Sequence, residues 1–254
     1  MEQIEGEATA AVIIKAAPNV GQKHGETVCV AGIDLNGQWH RLYPVPFKDL
    51  RPEQRFVRWD LIRFRWRRPT DDNRPESKRI YSQSLEVVGS VKVSERHSFA
   101  RRALVNSLET LDRDGKTFGL IRPQNPKFYY RRRTDSEISK AQRRRDSLFS
   151  QGDFFAEPEI EREALDVQFR YQFEFDGASR DHQCIDWESE ATFRKWRARE
   201  GEEKALKLMI EKFGDEWPRR GLAFAMGTHR VKFYRKWLLS AILRVDDSKQ
   251  DSLL

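Results

Sequence analysis

Arg63, Arg65 and Arg67 alternate with Ile62, Phe64 and Trp66 in the stretch FVRWDLIRFRWRR. Side chains of an extended chain point to opposite faces in turn, so three guanidinium groups share one face and three apolar groups the other. Arginines in such a row stand roughly 7 Å apart, close to the phosphate spacing of an extended nucleic-acid strand. Two further clusters carry the same chemistry. Arg131, Arg132 and Arg133 directly follow Tyr129 and Tyr130, and Arg143, Arg144 and Arg145 follow ten residues later. Guanidinium forks suit phosphate, and aromatic rings such as Tyr129, Tyr130 and Trp59 suit the faces of bases. The competing reading is internal: the same arginines pairing with the carboxylates of residues 153–190.

His182, Asp186 and Glu188 form the one spacing that suggests catalysis, as part of a divalent-metal site for phosphodiester hydrolysis. The same residues also read as a helix start. Asp186 accepts free backbone N–H groups, Glu188 favours the helix dipole, and Trp187 anchors the turn. No third acidic ligand sits at a metal-like spacing and no lysine completes a nuclease pattern. We therefore assign no catalytic residue, metal or cofactor. His229 beside Arg230 reads as polar surface; His40 reads equally as a ring that stacks on a base or as half-buried sheet packing, and Trp39, Tyr43 and Phe47 read as core rather than a base-stacking platform. There is no glycine-rich phosphate loop and no G-x-S-x-G elbow. Cys29 and Cys184 are too far apart for a C-x-x-C knuckle and read as buried thiols of a reducing cytoplasm.

The elements that must position these residues follow from pattern and composition. The chain of 254 residues is 38% hydrophobic and 34% charged, with a formal charge of +7, which argues a folded, soluble, basic protein rather than a disordered one. Basic charge is concentrated: residues 51–68 and 131–145 each hold seven basic and two acidic side chains, whereas 153–190 hold twelve acidic and three basic. That acidic segment is the candidate contact for a protein partner. No apolar run is long enough to span a membrane, and MEQIEGEATA lacks the pattern of a signal peptide, so the expected location is cytoplasmic.

Residues 1–10 read as a loose lead-in and 11–16 as the first strand. Two apolar runs, 28–33 and 39–45, flank Asn36-Gly37 and predict a hairpin closed by a two-residue turn. The arginine strand follows, then a loop over 69–77 and a strand over 82–93. The spacing of Leu104, Leu108 and Leu111 predicts a helix over 98–111, capped by Ser98. A short strand over 117–121, the KFYYRRR segment, a basic surface helix over 135–149 and a strand over 167–175 come next. A helix interrupted at Gly201 spans 188–213. Pro218 marks a turn into a continuous apolar strand over 222–226, and a last strand occupies 237–245. With all connections reading as antiparallel, the fold class is α+β: a strongly curved antiparallel sheet or small β-barrel with several flanking helices. The expected organisation is one integrated domain, 1–254, with sub-lobes 11–133 and 153–246 joined by the basic helix.

The hairpin GQWHRLYPVPF, the central Asp186-Trp187-Glu188 and the late Met226-Gly227-Thr228 occur in the order of a sequence family. Together they resemble an uncharacterised family of bacterial and archaeal proteins with a G-x-W-x-R-[ILV]-Y-P-[VI]-P-F hairpin and a D-W-E motif. The resemblance implies one integrated fold and brings no activity with it. From the residues themselves, the expected function is sequence-tolerant, non-catalytic binding of DNA or RNA. The alternatives are a metal-dependent nuclease centred on Asp186, Glu188 and His182, and an interaction subunit of a larger complex.

Overall fold

The computed structural model describes residues 4–16, 28–46, 50–149, 163–228 and 236–246. Its first half contains β1 (Glu5–Ala16), β2 (Val28–Ile33), β3 (Trp39–Val45), β4 (Asp60–Arg67), β5 (Ser77–Ile80) and β6 (Glu86–Ser90). They pair in the order β1-β2-β3-β5-β4-β6, and a β1–β4 ladder closes the first five into a barrel. The β3–β5 pair is parallel, the others antiparallel. This is the Greek-key arrangement of an OB-type barrel.

Closure explains where the barrel departs from the sequence expectation. β1 begins at Glu5, not at residue 11, because Glu5 through Ala11 pair with Arg67 through Leu61 and supply the closing ladder. β5 lies at the end of a stretch rich in turn formers. It is held by its neighbours rather than by its own apolar pattern, and it introduces the parallel pair that an all-antiparallel reading excludes. The strand expected over 82–93 shrinks to β6 behind a short 3-10 turn. The hairpin turn is longer than two residues: β2 and β3 pair up to Ile33↔Trp39, and only Gly37 in the loop takes a positive φ, of 80°. The Asp34 carboxylate shapes that loop by accepting from the N–H groups of Asn36 and Gln38.

Inside the barrel, Ala10, Val12, Val30, Leu42, Ile62, Phe64, Trp66 and Ile80 form one cluster. Leu50, Phe56 and Leu85 join it from the connections at one end and plug that end. The opposite end stays open between Ala8, His40, Trp66 and Lys78.

The second half contributes β7 (Phe118–Ile121), β8 (Gln124–Arg132), β9 (Val167–Phe175), β10 (Ala178–Gln183), β11 (Leu222–Thr228) and β12 (Trp237–Arg244). They form two three-stranded sheets, β10-β9-β8 and β12-β11-β7. The predicted 98–111 helix is two helices, α1 (Arg96–Arg101) and α2 (Leu108–Arg113). The chain breaks between them because Val105 and Leu120 are drawn into backbone pairing, and Ser107 rather than Ser98 caps the second helix by accepting from Thr110. α3 (Asp135–Phe149) matches expectation, as does α4 (Trp187–Glu200) with α5 (Glu202–Met209) following Gly201. α5 runs on through a π-helical stretch, Ile210–Glu216, into α6 (Trp217–Arg220), so Pro218 lies within a helix near its start instead of ending one.

The β12-β11-β7 sheet is a shared wall. On one face Phe118, Leu120, Ala223, Ala225, Ala241 and Leu243 meet the outer wall of the barrel at Ala11, Ile13, Ala31 and Ile33. On the other, Ile121, Phe224, Met226, Leu239 and Ile242 meet Tyr171, Phe173, Phe193 and Phe213. Burial on both faces explains why β11 is an unbroken apolar run. Gly227 lets β11 pair closely with β7, since a Cβ there would lie 2.8 Å from the ring of its cross-strand partner Phe118. The hairpin motif serves the same wall. Trp39 stacks on Phe118 at 4.9 Å, while the buried Arg41 guanidinium lies 3.9 Å above the same ring and donates to Thr117 Oγ1.

Candidate nucleic-acid interface

Strand alternation places the β4 arginines as expected: Ile62, Phe64 and Trp66 are buried inside the barrel and Arg63, Arg65 and Arg67 are exposed outside it. The face is not purely cationic. Arg63 donates to Glu86 of β6 at 2.6 Å, a hydrogen bond that raises its pKa, and Arg65 and Arg67 lie opposite Glu7 and Glu5 of β1. Arg65 also reaches the Tyr81 ring at 5.8 Å.

The second cluster sits on β8, in a different sheet, and is engaged within the molecule. Arg131 forks onto Glu137 with bonds of 2.6 and 2.8 Å and also donates to Gln168. The Glu137 carboxyl is pulled down to about 2 by that hydrogen bond from Arg131. Arg132 bridges Asp166 and Glu202, and Arg133 donates to the Leu165 carbonyl. Tyr129 donates its hydroxyl to Asp181 at 2.6 Å and accepts from Arg170, and Tyr130 packs against the core. Tyr130 is thus partly covered by the core, whereas Tyr129 is held by its hydroxyl with its ring half-buried. The internal pairing that sequence offered as the alternative holds for Arg132 with Asp166. Arg143 is exposed on α3; the side chains of Arg144 and Arg145, together with His229 and Arg230, lie outside the described residues.

Asp186 caps α4, as the helix-start reading expects, by accepting from Glu188 N–H. It does more than that. Arg58, fully buried, donates to Asp186 at 2.5 Å and to the Ile242 carbonyl at 2.7 Å, and Ile242 N–H donates to the second Asp186 oxygen. Burial alone would lower the Arg58 pKa, but Asp186 and Glu188 raise it, so this guanidinium stays charged. Three hydrogen bonds, from Arg58, Glu188 N–H and Ile242 N–H, thus engage both Asp186 oxygens. Among the described residues no group of three His, Cys, Asp or Glu side chains forms a metal site. His182 stands on β10 against Phe173, with its ring centroid 5.7 Å from the phenyl ring.

Sequence reasoning missed one large recess among the described residues. A cleft of about 1040 Å³ opens where the start of β4 meets α4, α5 and the π-helical stretch. Three tryptophans line it, Trp59, Trp196 and Trp217, interleaved with Arg96, Lys212, Arg219 and Arg244. Glu188, Glu211, Asp215 and Glu216 also reach it, so its charge is mixed. Lys212 lies across three rings, 5.1 Å from Trp196, 5.4 Å from Phe213 and 5.6 Å from Trp217, and burial lowers its pKa. Arg96 stands 5.0 Å over Trp59 with its Nε buried and unpartnered among the described residues. Burial, then the charge of Arg244, lowers the Arg96 pKa. An anion set between these cations would relieve that crowding.

Two features of the backbone build this cleft. Trp59 holds φ at 75°, a strained value for a bulky residue, and is pinned by its N–H to Val12 and its carbonyl to Val91. The π-helical stretch shifts the register of the helix so that Lys212 and Trp217 both face the recess. One signal was present in the sequence, the Trp59, Trp196 and Trp217 set, but those residues come together only through tertiary packing.

No helix among the described residues is long and apolar enough to cross a membrane. The family model for Domain of unknown function (DUF8758) matches residues 7–107, and that for Domain of unknown function (DUF8757) matches residues 102–253. No curated protein matches the chain.

Proposed function

The chain belongs to the DUF8757 family, and from its surface chemistry we propose that it binds a nucleic-acid strand, without strong sequence preference, along the outer face of β4. One observation carries this reading. Trp59, Leu61, Arg63, Arg65 and Arg67 fall on the same side of the chain, so the arginine row runs directly out of the tryptophan–cation cleft. Its length from Trp59 to Arg67 is about 26 Å at ~3.3 Å per residue. Rings at one end and guanidinium groups along the rest are the two parts that single-strand recognition uses. Barrel type supports the reading only weakly, because folds do not assign functions and the β1–β2 wall is covered by the β12-β11-β7 sheet. The β8 arginines are left out of it, since Arg131 and Arg132 already pair with Glu137, Asp166 and Glu202. Arg143 lies on a separate helix, and the roles first given to Arg144 and Arg145 rest on sequence alone.

The test is a salt titration of oligonucleotide binding. Each neutralised phosphate contributes a slope of about −0.7 to −0.9 in log K against log salt. Replacing Arg63, Arg65 and Arg67 together by Gln should make the slope shallower by roughly two, since Arg63 must first release Glu86. Binding should weaken for every sequence tried. An unchanged slope would show that the row never meets phosphate. Cleavage of the labelled strand in Mg²⁺, lost in Asp186→Asn, would replace the reading with a nuclease.

A further inference from the structure

The open end of the barrel is a second recess, of about 510 Å³, bounded by the 34–38 turn, the start of β1 and the segment leading into β5. That volume lies within the usual range for small-ligand pockets, and barrel mouths are a common place for them. Two buried polar atoms at this mouth have no hydrogen-bond partner among the described residues: His40 Nδ1 and Trp66 Nε1. Both residues are under a tenth exposed, and both line the recess. Leaving such atoms unpaired costs about 1–3 kcal/mol each, so a native molecule rarely keeps two of them in the lining of one recess without something to satisfy them.

Their polarity is settled by their surroundings. His40 Nε2 lies 3.0 Å from Asp34 Oδ2, and a carboxylate only accepts, so Nε2 carries the proton and Nδ1 is left with a lone pair. The Asp34 carboxylate is itself fixed by the N–H groups of Asn36 and Gln38, which holds the imidazole in one orientation. Trp66 Nε1–H is a donor only. The missing partner must therefore offer a donor to His40 and an acceptor to Trp66. Lys78 Nζ stands 3.3 Å from the centroid of the Trp66 ring, so that face is covered and a ligand approaches along the indole edge. Arg68, next after the arginine row, lies on the rim.

We propose that the barrel mouth binds a nucleobase by its hydrogen-bonding edge, with a donor to His40 Nδ1 and an acceptor from Trp66 Nε1–H. Every nucleobase carries an adjacent donor and acceptor on such an edge. The choice of a base over other heterocycles with that pattern rests on the proposed strand binding, because the β4 row ends at this rim. Burial lowers the His40 pKa against the hydrogen bond that the ring donates to Asp34, which keeps the ring neutral and its Nδ1 an acceptor at neutral pH.

The test titrates the full chain with the four nucleoside 5′-monophosphates and with ribose 5-phosphate, following the indole N–H signals by nuclear magnetic resonance. The signal absent in Trp66→Phe identifies Trp66. The monophosphates should shift that signal and ribose 5-phosphate should not. His40→Phe and Trp66→Phe, which keep an aromatic ring but remove the polar nitrogen, should each weaken binding about five- to tenfold. Ala8→Leu, which fills the mouth without touching either polar atom, should abolish it. An unmoved Trp66 signal, equal binding of ribose 5-phosphate, or a Trp66 N–H bonded only to a buried water would overturn the proposal. The two readings separate cleanly. Oligonucleotide binding with a row-dependent salt slope but no monophosphate binding would defeat the mouth alone. Monophosphate binding with no salt slope on oligonucleotides would sustain the mouth and defeat the strand reading.

Discussion

Arg58 and Asp186 offer the most direct measurement of how the barrel is fastened to the rest of the chain. Their side chains are 6% and 1% exposed, and between them they also engage the Ile242 N–H and carbonyl. Asp186→Ala leaves a buried guanidinium with one carbonyl and the half-exposed Glu188, and it removes the cap of α4. Removing one partner of a buried pair costs about 3–5 kcal/mol, and a lost cap adds ~1 kcal/mol. Against the 5–15 kcal/mol of a typical domain, that is a large share. Urea unfolding followed by tryptophan fluorescence should show the midpoint falling by about 1–2 M. Arg58→Met should cost a similar amount by stranding the carboxylate. The double variant Arg58→Met with Asp186→Ala should be less damaged than the sum of the singles by at least ~2 kcal/mol, because it strands neither charge. Additive losses, or single losses below ~1 kcal/mol, would refute the coupling.

Two other outcomes follow. A fragment ending at residue 107 should fail to give a stable monomer, because Ala11, Ile13, Ala31 and Ile33 lose the sheet that covers them; a sharp, reversible thermal transition in a monomeric fragment would contradict this. Cys184 should resist thiol reagents at pH 7–8 until the protein unfolds, since burial pushes its pKa up to about 12 and the thiol lies in the core. Modification at the rate of a free thiol in the folded chain would show the core to be open there.

Much of this architecture was readable because it rests on local pattern. The alternation in β4 and in Val167–Phe175, the bounds of Asp135–Phe149 and the capping role of Asp186 all depend on neighbours in sequence. The departures share a different cause. Glu5 through Ala10 and Ser77–Ile80 are strands only because barrel closure gives them partners, and nothing in their own composition requires it. The same holds for the site. Outward arginines on β4 follow from period two, whereas Glu86 across from Arg63, or Glu137 beneath Arg131, depends on which strand and helix lie alongside. Charge counts alone cannot separate a phosphate surface from a set of arginines already satisfied. His40 and Trp66 looked like ordinary packing residues, and only the unfilled bonding capacity at the barrel mouth sets them apart.

The shared wall also governs when the molecule can become whole during synthesis. β1 leaves the ribosome well before β12, the strand it packs against beyond the barrel. At about 5–20 residues per second, the roughly 220 residues between them take some 10–45 s to appear. Throughout that interval Ala11, Ile13, Ala31 and Ile33 wait for the last strands of the sheet that covers them. The covering side supplies the small residues, Ala223, Ala225 and Ala241, so β11 and β12 can seat at close range against those isoleucines once they arrive.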